Sequence, residues 1–260
     1  MRENVWVWTL GGERIETSYG ANCTAIVGRD SVLVVDPFIA PAFARLVEHA
    51  LSEKTPVPVT HVVLTHHHTD HALGAGWFAG RGATVVAHPE CRNAMAAEHS
   101  GLIAVRRQIP QLAELFRDAE PYRPAGVVET SFTFDLGGCS ARVFHPGHGH
   151  TAGDLAVQLP RESVVVCGDL VSVGYHVNYE DADVGNLEKG LRTLSRLAAR
   201  TYVPGHGAAG GPGILEDQRR YHEAVAAASD VEAMRTRFPD HALPEVVPQA
   251  LAVWQGSGKK

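Results

Sequence analysis

The sequence predicts an α/β (α+β) protein in which two β-sheets pack face to face with helices on their outer sides. Three observations lead there. Short β-branched runs, closed by glycine, proline or aspartate, fill the first third and return after Val127. Stretches with helical spacing follow each set of runs, over residues 38–51 and 184–199. A chain of 260 residues that is 45% apolar and 20% charged can bury one large core.

Taken in order, residues 5–10 (VWVWTL), 22–27 (NCTAIV) and 31–35 (SVLVV) read as strands, with Gly11-Gly12 and Gly28-Arg29-Asp30 as turns. Trp6-Val7-Trp8 is expected to pack in the core. A helix over 38–51 ends before Pro56 and Pro58, and a strand follows at 61–64. A helix over 70–79 and a strand at 83–87 come next. A further helix starts at Pro89, because proline suits the first helical turn. Over 99–125, Leu102, Val105, Leu112, Leu115 and Phe116 suggest one or two helices broken by Pro110, Pro121 and Pro124. That segment either covers a site or is a surface insertion. Strands at 131–135, 139–144, 154–159 and 163–167 lead to a helix at 184–199, a strand at 201–203 and a helix at 213–228. The second half thus repeats the order of the first. A single unit over 1–255 is expected, with a flexible, polar and glycine-rich tail at 256–260.

A formal charge of -6 argues against a nucleic-acid or anionic-membrane surface. No apolar run approaches the ~20 residues a bilayer span needs, and the first ten residues lack the apolar core of a signal peptide. The four cysteines, Cys23, Cys91, Cys139 and Cys167, are far apart, which fits a reducing cytoplasm. A small-molecule substrate is expected, and monomer and homodimer both stay open.

The unusual number is fifteen histidines. Thr65-His66-His67-His68-Thr69-Asp70-His71 directly follows the strand at 61–64. Imidazole nitrogen with carboxylate oxygen suits zinc, and also iron or manganese. Three more segments carry candidate ligands at the carboxyl ends of expected strands, among glycines that permit tight turns: Gly147-His148-Gly149-His150-Thr151, Cys167-Gly168-Asp169 and Pro204-Gly205-His206-Gly207. Four such loops point to one shared site.

In these residues the chain resembles the metallo-β-lactamase superfamily. The family's HxHxDH motif reads His66-His67-His68-Thr69-Asp70-His71, its third histidine matches His150, its bridging aspartate Asp169 and its last histidine His206. The resemblance implies a four-layer αββα sandwich with two Zn²⁺ (Fe or Mn being possible) at one edge. It assigns His66, His68 and His150 to one metal, Asp70, His71 and His206 to the other, and Asp169 to both. His67 should point away. His145 and His148 compete with His150, which is preferred because Thr151 follows it. Asp36 and Thr151 are candidates for supporting the ligand loops, and Cys167 is expected to be a buried small hydrophobe.

Two cations sharing one water lower its pKa from ~15.7 towards ~7 and so supply a bridging hydroxide. Asp70 lies beside it and can orient the nucleophile and pass a proton to the leaving group. The expected activity is therefore metal-dependent hydrolysis of a small-molecule ester, lactone, thioester or amide. β-Lactam hydrolysis is the alternative, held back because Ser172 stands where the family's lactamases carry a substrate-binding lysine and no lysine lies between Lys54 and Lys189. Arg161 and Arg192 have no motif support as substitutes. An iron-dependent redox protein or a non-hydrolytic biosynthetic member of the fold is a further alternative. Tyr175, His176 and Tyr179 are candidates for the substrate pocket. Arg219 and Arg220 read as a solvated helix face rather than a glutathione site.

Overall fold

The computed structural model describes residues 3–257. β1 (Val5–Thr9), β2 (Asn22–Val27), β3 (Val32–Val35), β4 (Val59–Val63), β5 (Thr84–Ala87) and β6 (Gly126–Val127) are hydrogen-bonded in that order as one sheet. The pairs up to β3 are antiparallel, whereas β3 to β6 run parallel. Three of the five pairings in this sheet are therefore parallel. Parallel neighbours need a crossover, and α1 (Pro41–Ser52), α2 (Thr69–Ala72), α3 (Ala75–Ala79), α4 (Pro89–Gln108) and α5 (Pro110–Ala113) supply the crossovers. The second sheet has the order β11-β10-β9-β8-β7, from β7 (Ser131–Asp135), β8 (Ser140–Phe144), β9 (Ala156–Leu159), β10 (Val164–Val166) and β11 (Thr201–Val203). Only β10 and β11 are parallel there.

Alternation along the strands makes the layers. Leu33 and Val35 pack between the sheets with Val143, Val157 and Val166. Val32 and Val34 face the other way and meet Val47, Leu51, Phe78 and Met95 of the helices. On the far side, Val165 and Tyr202 of the second sheet meet Leu191 and Leu194 of α6 (Leu187–Ser195) and Leu215 of α7 (Gly213–Ala227). The result is the expected αββα order. Trp8 packs on the helix side of the first sheet and Val7 between the sheets.

Several expected elements shift for identifiable reasons. The helix at 70–79 divides into α2 and α3 because the Gly74 amide donates to the Phe38 carbonyl at 2.8 Å. A Cβ at Gly74 would lie 2.0 Å from the Pro37 carbonyl oxygen, so only glycine permits this approach. The helix at 184–199 shrinks to α6, since Asp183 holds the Gly185 and Asn186 groups in a turn. The proline-rich 99–125 stretch starts as the continuation of α4, whose Ile103 packs with Leu112 and Phe116. α8 (Val231–Arg237), capped by Asp230, and α9 (Val247–Ser257) close the chain and were not expected. α9 carries Gly256 and Ser257, against the expected tail, and residues 258–260 lie outside the described residues. Among the described residues, no helix is long and apolar enough to cross a membrane.

Candidate metal centre

Loops leaving the carboxyl ends of β4, β8, β10 and β11 meet at one edge of the sandwich. His68 Nδ1 lies 2.9 Å from His150 Nε2, and the His66 ring stands edge-on to both, with centroids 4.8 Å from each. Beside this group, His71 Nε2 and His206 Nε2 are 3.2 Å apart, and Asp70 Oδ2 is 3.4 Å from the first and 3.3 Å from the second. Four donors around a zinc ion at its usual bond lengths stand roughly 3.3 Å apart, which is the size of this triangle. Asp169 lies between the two groups. Its Oδ1 is 3.2 Å from His71 Nε2, and its Oδ2 is 3.3 Å from His206 Nε2 and 3.6 Å from His150 Nε2.

The far nitrogens of these rings show which way each lone pair points. Thr65 Oγ1 donates its only hydrogen to Asp36 Oδ2 at 2.6 Å, so towards His66 Nδ1, at 2.9 Å, it can only accept. His66 Nε2 then carries a bare lone pair, is buried and has no hydrogen-bond partner. His71 Nδ1 faces Asp36 Oδ2 at 3.1 Å, His206 Nδ1 faces the Tyr19 carbonyl at 3.0 Å and His68 Nε2 faces Asp181 Oδ2 at 2.9 Å. With each far nitrogen donating, four ring nitrogens converge with lone pairs toward one another. A cation placed among them satisfies such a set, so the residues fit the two metals that the resemblance implies.

The charges favour a cation, or a proton, at the same place: against burial, Asp169 and Asp70 raise His71 well above the usual imidazole range and His206 to about 9. Burial alone would raise the Asp70 carboxyl, but His71 and His206 overcome it and hold the group well below the usual carboxylate range. Asp169 is likewise held low, against burial, by His206, His71 and His66. His150 is pushed down to about 3, chiefly by burial.

Two further contacts set the loops. Asp154 is buried and accepts from the Gly149, His150 and Thr151 amides and from Thr151 Oγ1, at 2.7–3.2 Å. Burial pushes its carboxyl up to about 7 against the pull of those donors. At Gly205, a Cβ would lie 1.8 Å from Asp169 Oδ1, so glycine is needed for the β10 and β11 loops to meet. The segment before β2 is strained instead. Ser18 and Tyr19 both take left-handed backbone, at φ 54 and 51, costing about 1 kcal/mol or more each. In exchange, Ser18 Oγ donates to the Asp70 carbonyl and the Tyr19 carbonyl orients His206.

The structure brings together all seven residues expected as ligands and places Asp36 against His71. Thr151 reaches the centre only through Asp154. His145 bonds to the Asp154 carbonyl and His148 to the Asp181 carbonyl, so neither joins the cluster. His67 turns out of the cluster onto the cleft wall, 3.5 Å from Asp181 and 3.6 Å from Glu98. Cys167 is buried, and burial raises its thiol.

The pocket candidates fare differently. His176 lines a cleft of about 490 Å³ over the cluster. Tyr179 does not: it is fully buried, packing against His222 of α7 and against Trp254 of the unexpected α9. Tyr175 is likewise absent from the cleft wall, because its hydroxyl donates to the Gly12 carbonyl at 2.8 Å. Arg161 and Arg192 bond elsewhere on the surface, and Arg219 and Arg220 pair with Glu216, Glu223 and Asp217. Sequence reasoning missed Asp154, Asp181 and Arg106, the last of which lines the cleft from α4. The 98/102/106 spacing of Glu98, Leu102 and Arg106 along one helix face was the available signal for Arg106.

Comparison with known proteins agrees with this geometry. A family match, to the Metallo-beta-lactamase superfamily, spans residues 17–206 and so contains every residue of the cluster. The chain is 24% identical over 225 residues to a metallo-beta-lactamase type 2 from Bacillus sp. (strain 170), covering 83% of this chain and 77% of that one. It is 24% identical over 220 residues to the Bacillus cereus protein of the same name, covering 83% and 78%. A metallo-beta-lactamase from Pontibacter korlensis superposes with a TM-score of 0.71 at 21% identity, over 86% of this chain and 96% of that one. The four layers, the ligand loops at one edge and the family match concur: the chain belongs to the metallo-beta-lactamase superfamily.

Proposed function

We propose that the protein is a hydrolase of small-molecule ester or lactone bonds, with thioesters and amides in the same reach, that works with two divalent cations, zinc first. The observation that carries this reading is the pair of donor groups with Asp169 between them. His66, His68 and His150 would hold one ion, Asp70, His71 and His206 the other, and Asp169 would touch both. Such a pair supplies, when bound, Lewis acidity and a water acidified towards neutral pH. The chain's own residues do the rest. Asp70 lies on the cleft wall beside the cluster, placed to take a proton from an attacking water and give it to the leaving group. Asp36, Asp181 and the Tyr19 carbonyl hold the ring tautomers.

β-Lactam hydrolysis is the second reading, favoured by the names of the Bacillus relatives. Against it, Ser172 carries no charge, and its amide is taken up by Gln218 Oε1 at 2.8 Å.

The test is a panel of chromogenic esters, lactones, thioesters and β-lactams against protein stripped with a chelator and reloaded with zinc. Ester and lactone cleavage should vanish on stripping and return on loading. Strong nitrocefin turnover would install the second reading, and full activity of stripped protein would end both. Asp36→Ala is expected to weaken zinc binding by about 10–100-fold, since His71 loses the acceptor that orients it. Competition with a chromophoric chelator measures this, and unchanged affinity would remove Asp36 from the design of the site.

A further inference from the structure

Glu98, Leu102 and Arg106, four residues apart on α4, form one wall of the cleft. Six carboxylates line the same cleft, those of Asp70, Glu98, Asp169, Glu180, Asp181 and Glu245, against a single permanent cation, Arg106. Among the described residues its guanidinium makes no hydrogen bond and no ion pair, and its Nη1 is buried and unsatisfied. Its neighbour Arg107 is tied down by the Phe116, Arg117 and Ala119 carbonyls and by Glu120. Arg106 instead lies over the Phe116 ring, 5.1 Å from its centroid, a contact that uses no hydrogen-bond donor.

A buried donor left unpaired costs about 1–3 kcal/mol. An acceptor arriving with a ligand recovers that cost. The guanidinium fork matches a planar carboxylate, which it can meet with two parallel hydrogen bonds. Glu98, near His67, stands eight residues away on the same helix, roughly 12 Å, so the two ends of the wall differ in sign.

We propose that Arg106 is the anion-reading residue of the cleft, and that the substrate carries a single carboxylate group recognised by it. This rests on the hydrolase reading and narrows it from any small ester to a carboxylate-bearing one.

The test compares zinc-loaded wild type with Arg106→Ala and Arg106→Lys, on p-nitrophenyl hemisuccinate and uncharged p-nitrophenyl butyrate. Wild type should favour the hemisuccinate in kcat/KM by about tenfold or more. Arg106→Ala should bring that ratio to about one, through a KM that rises far more on the hemisuccinate than on the butyrate, and Arg106→Lys should recover part of it. Binding of levulinate, a monocarboxylate with no bond to hydrolyse, should weaken in step when followed by calorimetry, and this arm needs no turnover. Absence of ester cleavage with Arg106-dependent levulinate binding would overturn the hydrolase reading and leave the anion site standing. A substrate ratio and a levulinate affinity that Arg106→Ala leaves unchanged would overturn the proposal, as would an equal loss on both esters.

Discussion

Asp70→Asn is expected to fold normally and to lower turnover by about 10²–10⁴-fold. The side chain is part of the cleft wall, not the core. Its backbone carbonyl, which accepts from Ser18 Oγ at 2.7 Å, survives the change, so the thermal midpoint should hold. The amide keeps the shape and loses both the negative charge and the proton acceptor. Measuring kcat/KM at saturating zinc, with metal content determined on the same sample, separates loss of proton transfer from loss of the ion. Near-normal turnover in a fully loaded variant would take Asp70 out of the mechanism.

Asp154→Ala acts at the other extreme, on the scaffold. Its carboxylate takes four donors from one short loop, three of them backbone amides, in a position only 3% exposed. Removing it leaves those buried donors without their acceptor. The expected loss is about 3 kcal/mol or more, with a fall in thermal midpoint of roughly 6–10 °C. Because the loop presents His150, zinc affinity should fall with it. Asp154→Asn keeps one acceptor oxygen and is expected to lose about half as much. Urea denaturation checks both, and an alanine variant as stable as wild type would contradict this account of the loop.

The contrast between these two residues shows what could be read in the sequence. Asp70 belongs to a dense motif at a strand end, where short spacing alone brings donors together. The same holds for His150, Asp169 and His206, each set in a glycine-flanked turn after an apolar run. Asp154 stood at the head of the strand expected over 154–159, and nothing local records that four donors three to five residues upstream turn back on it. Asp181 meets His68 across 113 positions of chain, a contact made only by the packing of the two sheets. Tyr179 was misread for the complementary reason. Its place soon after Asp169 suggested a pocket, but α9 folds over it, and α9 offered no periodic signal strong enough to predict. The split between α2 and α3 turned on a single close approach of Gly74 to Pro37, which is a tertiary fact. Arg106 was hidden by a competing interpretation, since 99–125 drew attention through its prolines rather than through the helix face ahead of them.

The account stands most directly on anomalous diffraction from zinc-loaded crystals. It predicts two peaks, one enclosed by His66, His68 and His150 and the other by Asp70, His71 and His206, with an Asp169 oxygen facing both. A single peak at full loading, or ions bound away from these side chains, would contradict it.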